Sequence, residues 1–157
     1  MDARFFVEVL AAALAALAFG ILFQVPKKQY FYTAFAAGIA WACYLLSMKI
    51  YPSPTLASFV STAVLTVICR VFAVKRKTPV TVFLLCALFP IVPGAGIYYT
   101  AYNFIMGIND LALAKGIETI KCAVAIALAV VFTFSLPNEA ILKLARIGQK
   151  SAKQPAK

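Results

Sequence analysis

Histidine is absent from the chain, and only five of its 157 residues are acidic. The side chain that most readily exchanges protons near neutral pH, which is also the commonest metal ligand, is therefore missing. The four cysteines, Cys43, Cys69, Cys86 and Cys122, each fall singly inside an apolar run with no paired spacing. They read as small packed hydrophobes, not as metal ligands or disulfides. There is no phosphate-cradling glycine loop and no nucleophile with an evident base. These gaps argue against an enzyme, give a carboxylate-only intramembrane chemistry no positive support, and imply neither a metal nor a cofactor. A secretory signal is also lacking. Met1 to Phe23 carries acidic as well as basic residues at its start and no polar cleavage region, so it reads as a retained span.

What the chain has in excess is apolar surface: 64% of its residues are hydrophobic and the mean hydropathy is +0.92, whereas soluble domains are roughly half apolar. It is read as an integral membrane protein, one domain by length. The formal charge of +10 does not imply nucleic acid, because the basic residues sit at the ends of apolar runs, where membrane topology explains them.

A bilayer core of about 30 Å takes about 20 helical residues. By that ruler the sequence predicts an all-α polytopic domain over residues 1–136 with five transmembrane helices, roughly 5–23, 30–48, 55–74, 79–106 and 111–136. Residues 137–157 form a basic tail, read as a short amphipathic helix to Ile147 and a disordered end, a surface anchor on membrane lipids at most. Eleven of the fifteen lysines and arginines fall on one side of this layout: Lys27, Lys28, Arg70, Lys75, Arg76, Lys77 and five in the tail. Arg4, Lys49 and Lys115 fall on the other, and Lys121 lies inside the fifth span. The positive-inside rule then puts the N-terminus outside and the C-terminus in the cytoplasm. Ala12, Ala16 and Gly20 in the first span, and Ala34, Gly38 and Ala42 in the second, form the small-residue faces that let membrane helices approach closely. Tyr30, Tyr32 and Tyr51 flank the second span as an interfacial belt.

The fourth span departs from the rest. It contains Pro90-Ile91-Val92-Pro93-Gly94-Ala95-Gly96, and two prolines three apart followed by two glycines cannot continue a helix. Non-helical backbone at membrane depth is tolerated only against protein or a wet cavity, so this run is the main functional lead. A re-entrant hairpin here would turn the basic tail outward, against the charge bias, so a single crossing is favoured. Residues 79–106 number 28, about eight more than a crossing needs, and the seven-residue break from Pro90 to Gly96 takes up most of that surplus.

Beyond the break, a helix restarting at Ile97 offers free backbone N–H groups and a positive dipole end, a geometry that suits a carboxylate. Gly96, Tyr99, Asn103, Gly107 and Asp110 then fall at spacings of three or four, forming a small, polar stripe. The candidate substrate-binding residues are Pro90, Pro93, Gly94, Gly96, Tyr99 and Asn103. An amide in hydrocarbon needs a partner, so Asn103 bonds either another helix or a ligand. Asp110 either caps the fifth helix or serves with Glu118 and Lys121 as a coupling or relay group. Glu118 and Lys121, one turn apart, can pair on one helix face, as a structural ion pair or as part of that relay. Glu8 and Arg70, near span ends, are expected to snorkel.

With these residues in place, the chain resembles the threonine/serine exporter family. The likeness rests on Phe23-Gln24-Val25-Pro26 closing the first span, five short spans, Pro90-Ile91-Val92-Pro93-Gly94 with the tyrosine-rich helix behind it, and the Gly107 and Gly116 flanks. It covers about residues 5–136 and is most specific at the P-x-x-P-G core. Within that family it is similar to the small, separate-chain form of the C-terminal membrane half. The resemblance implies a multi-pass protein of the bacterial inner membrane that exports threonine and serine, or succinate and related dicarboxylates. It also implies a larger partner subunit carrying a soluble domain and the other membrane half. The family's functional residues map only at Pro90, Pro93 and Gly94. Roles for Asn103, Asp110, Glu118 and Lys121 rest on position. A five-span unit has its ends on opposite faces, so pairing it with another gives halves of inverted orientation, as alternating access requires. A non-transporting membrane subunit that stabilises a partner is the alternative.

Overall fold

The computed structural model describes residues 3–137 together with Glu139 and Ile141, and every regular element among them is helical. Helices α1 (Ala3–Leu22), α2 (Tyr30–Ile50), α3 (Pro54–Arg76) and α6 (Asn109–Ser135) are each long and apolar enough to cross a bilayer. Between α3 and α6, α4 (Val80–Leu88) and α5 (Gly94–Ile105) together make a fifth candidate span, bent by 48°. This is the all-α fold with a broken fourth span that the sequence predicts. The expected tail helix to Ile147 lies outside the described residues apart from Glu139 and Ile141.

The helices pack through small residues. The buried face of α1 is Ala12, Ala16 and Gly20, and a Cβ on Gly38 of α2 would come within 3.6 Å of Val9 Cγ1 on α1. Without a hydrophobic driving force between helices in lipid, such close backbone approach is what supplies the van der Waals contact. The core gathers Ala16, Ala36, Ala37, Ala40, Leu65, Cys69, Phe83, Leu84, Ala87, Ile91 and Ile126. In it α4 is laid against α1, α2 and α3. Ser61 Oγ of α3 donates to the Ala40 carbonyl of α2 at 2.7 Å. In contrast, α5 buries no residue and packs on α6 alone to any comparable extent.

The break is shorter than the sequence suggests. Helix α4 passes through a 3-10 turn (Phe89–Ile91) that contains Pro90, and only Val92 and Pro93 are non-helical before α5 starts at Gly94, not Ile97. The residue before a proline is pushed out of the helical region, and Val92 accordingly sits at φ −57°, ψ 131°. Pro93 (φ −76°, ψ 61°) then turns the chain tightly, with Gly94 N–H donating to the Val92 carbonyl at 2.7 Å. Gly94 and Gly96 are therefore helical, and the break is Val92 and Pro93 alone, not the seven residues expected to take up the surplus length.

Arg70 does not snorkel. It is buried on α3 and donates to the carbonyls of Thr133 and Leu136, the latter at 3.0 Å, with its guanidinium 5.6 Å from the Phe134 ring centroid. A cation at the end of α6 supplies a donor to the C-cap carbonyl of Leu136 and a second one to the Thr133 carbonyl, which already accepts from Leu136 N–H at 3.3 Å. Glu8 remains exposed in part and pairs with Arg4 at 3.1 Å within α1.

Candidate functional site

The α5–α6 hairpin is set by two reciprocal glycine–threonine contacts. A Cβ on Gly96 of α5 would lie 2.3 Å from Thr119 Oγ1 of α6, and one on Gly116 of α6 would lie 3.3 Å from Thr100 Cγ2 of α5. Each threonine turns its hydroxyl back on its own helix, Thr100 to the Gly96 carbonyl and Thr119 to the Lys115 carbonyl, both at 2.7 Å. At the crossing, the Thr119 hydroxyl lies against the Gly96 backbone and the Thr100 methyl against Gly116. Gly107 closes the hairpin at φ +75°, a conformation that favours glycine, with Ile108 N–H reaching the Asn103 carbonyl at 2.9 Å.

At the foot of this hairpin, beside the start of α3, lies a cavity of about 540 Å³. One wall is the break itself, from Pro90 through Gly96, with Tyr99 one turn further on. Opposite stand Trp41 and Tyr44 of α2, their rings stacked with centroids 5.1 Å apart, and Ser58 of α3. The third wall is α6, which contributes Lys115, Glu118, Thr119 and Cys122. Lys115 Nζ and Glu118 Oε2 are 3.0 Å apart, and both side chains are about half exposed. The first turn of α5 has no side-chain cap. The Gly94 N–H is taken by the Val92 carbonyl and that of Ile97 by the Pro93 carbonyl, so the N–H groups of Ala95 and Gly96 carry the positive end of the helix dipole at the cavity wall. A Cβ on Gly94 would meet nothing within 4 Å, so the approach to that turn is open.

Six of the residues singled out from sequence thus come together: Pro90, Pro93, Gly94, Gly96, Tyr99 and Glu118. Asn103, Asp110 and Lys121 do not line the cavity. Asn103 is half-buried one turn beyond Tyr99. Asp110 lies in the first turn of α6, where Ile108 is the N-cap and no side-chain cap bond forms, and it borders a separate apolar groove on the hairpin. Its charge still suits the dipole of α6. Lys121 faces a third groove with Thr55 and Phe59, so Glu118 pairs with Lys115 in its place. Trp41, Tyr44, Ser58 and Lys115 were not foreseen. An indole and a phenol one turn apart read as ordinary membrane aromatics until α5 is seen to bend toward them.

Among the described residues, no three of His, Cys, Asp and Glu are placed to hold a metal. The cavity instead offers an uncapped helix start, one cation, one carboxylate and an aromatic wall, a set matched to a small molecule bearing both a carboxylate and an ammonium group.

A family model described as "Threonine/Serine exporter, ThrE" matches residues 8–136. No curated protein and no solved structure matches the chain.

Proposed function

Since the chain belongs to the threonine/serine exporter family, we propose that the cavity at the foot of the α5–α6 hairpin is its substrate site. It is a membrane transporter of exporter type, and the finer reading is that it moves small zwitterions or carboxylates. The substrate carboxylate accepts from the backbone N–H groups that open α5 and from Lys115. An ammonium group, where the substrate has one, faces Glu118 and the rings of Trp41, Tyr44 and Tyr99. The observation that carries this reading is the convergence of the Val92–Pro93 break, the uncapped first turn of α5 and the Lys115–Glu118 pair on one cavity. Glu118 is the coupling group, because Asp110 and Lys121 lie outside that cavity. Threonine and serine fit both poles of the site, whereas succinate would leave Glu118 opposed by a second carboxylate.

The chain works with a larger subunit that supplies the other membrane half, in the bacterial inner membrane, with the basic loops in the cytoplasm. Support comes from the thin enclosure: α5 buries nothing within this chain. That same bare face favours the second reading, a membrane subunit that stabilises its partner without lining the path.

Vesicles containing this chain and its partner are expected to export labelled threonine. Gly94→Val, whose Cβ would meet nothing within 4 Å, is expected to abolish export while leaving insertion and complex recovery unchanged. Undiminished export by that variant, or export by the partner alone, would sink the site assignment. Loss of complex recovery without any change in selectivity would favour the stabilising role.

A further inference from the structure

The two ends of the helix bundle are fastened very differently. On the end that carries Lys27, Lys28, Lys75 and Lys77, the α1–α2 and α3–α4 connections are tied through one buried amide. Gln29 donates from Nε2 to Thr78 Oγ1 at 3.1 Å and accepts at Oε1 from Arg76 Nε at 3.3 Å. Thr78 Oγ1 donates in turn to the Arg76 carbonyl at 3.1 Å, and Thr33 Oγ1 holds the Gln29 carbonyl at 3.1 Å. The Arg76 guanidinium sits 4.7 Å over the Tyr32 ring. Tyr32 meets Phe72 edge-on at 5.2 Å, and Phe72 meets the fully buried Phe83 at 6.2 Å. Both helices that enter this knot end on left-handed residues other than glycine, Gln24 and Lys77, so the loops are held in defined, costly conformations.

Toward the opposite end, nearer the α2–α3 connection, the side-chain bonds between elements among the described residues are that of Ser61 to the Ala40 carbonyl and the weak Thr55 Oγ1···Cys122 Sγ contact at 3.8 Å, and neither ties one connection to another. The cavity lies toward that end, with Pro54, the first residue of α3, in its wall. Ile91, in its wall, belongs to the same buried core as Phe83, against which Tyr32 and Phe72 pack.

We propose that the Gln29–Arg76–Thr78 clasp is the gate of the basic face. The structure is then the state open toward the α2–α3 connection, and transport requires the clasp to part so that the cavity is reached from the basic side. The inference rests on the transporter reading of that cavity. The clasp suits the task because an amide bonded on both sides, one of them by a guanidinium, is strong while closed yet can be replaced bond for bond by water when open. A purely apolar seal would have no such compensation.

The test reads accessibility, not export alone. Because the native Cys122 also lines the cavity, Ala95→Cys is made in a chain carrying Cys122→Ser, and its reaction with a membrane-impermeant maleimide is followed in right-side-out and inside-out vesicles, with the Cys122→Ser chain as blank. The thiol is expected to react only from the face of the α2–α3 connection. Adding Thr78→Val or Arg76→Gln, each of which removes part of the clasp, is expected to raise reaction from the basic face about tenfold, the effect of losing one such bond, while the other face stays accessible. An unchanged basic-face rate in both variants overturns the gate. Failure of the Ala95→Cys thiol to react from either face overturns the cavity, and the gate with it. If the variants open the basic face in vesicles that export nothing, the gate stands and the export reading falls.

Discussion

Gly96 is the residue with the least freedom in the hairpin. A methyl group there would collide with Thr119 Oγ1, and the hydroxyl could yield only by giving up its bond to the Lys115 carbonyl. Gly96→Ala is expected to destabilise the protein by about 1–3 kcal/mol, the usual cost of overpacking, read from reversible unfolding in mixed micelles. Thr119→Ala in the same chain should recover most of it, and absence of that coupling would show that the two helices do not cross here. The Lys115–Glu118 pair of α6 makes the opposite point, since the role proposed for it lies in the cavity and not in stability. The Lys115–Glu118 pair is half exposed, and a helical pair of this kind adds about 0.2–0.5 kcal/mol. Lys115→Gln should therefore leave unfolding almost unchanged and reduce export, whereas Lys121→Gln should reduce neither. Equal losses from the two lysines would contradict the cavity assignment. The sequence could not decide between them, because both stand three residues from Glu118 and only the position of α3 determines which one faces the cavity.

At the scale of elements, the spans were legible because lipid demands long apolar helices, and the break was legible because proline cannot be hidden in one. Its extent was not. Val92 and Pro93 are dictated by local backbone rules, but Gly94 and Gly96 are helical because α5 resumes directly after its N-cap Pro93 and because α6 needs glycine at the crossing. That second reason is tertiary and leaves no mark in a single span. Arg70 is another case: near a span end, a lone arginine looks like a snorkelling side chain until α6 is found ending beside it. Arg70→Met should leave the Leu136 carbonyl without its guanidinium donor and the Thr133 carbonyl with only the long bond from Leu136 N–H, at a cost of about 1–3 kcal/mol. The expected signature is faster amide exchange confined to the last turns of α6. Uniform loss of protection throughout α3 would instead mean that Arg70 holds the bundle core.

For the whole molecule, the decisive question is whether α4 and α5 cross the membrane together. A 48° bend redirects α5 without laying it back along α4, and α6 then returns antiparallel to α5, as the Gly96–Thr119 and Gly116–Thr100 contacts require. With α4–α5 as one crossing, the α2–α3 and α5–α6 connections share a face, and the α1–α2 and α3–α4 connections share the other. The sequence count places eleven of the fifteen basic residues on that second face, where the Gln29–Arg76–Thr78 clasp also lies. Single cysteines at exposed Tyr51 and Ile108, probed with an impermeant thiol reagent in intact cells, are therefore expected to react from outside. Lys77→Cys should react only after the membrane is opened. Reaction of Ile108→Cys on the same side as Lys77→Cys would make the bent pair re-entrant. The count of spans would then be even, the basic tail would lie on the outer face, and this chain could not be the inverted counterpart of a second membrane half. An odd count keeps that arrangement available, because only a unit whose ends lie on opposite faces can be followed by a like unit of reversed orientation.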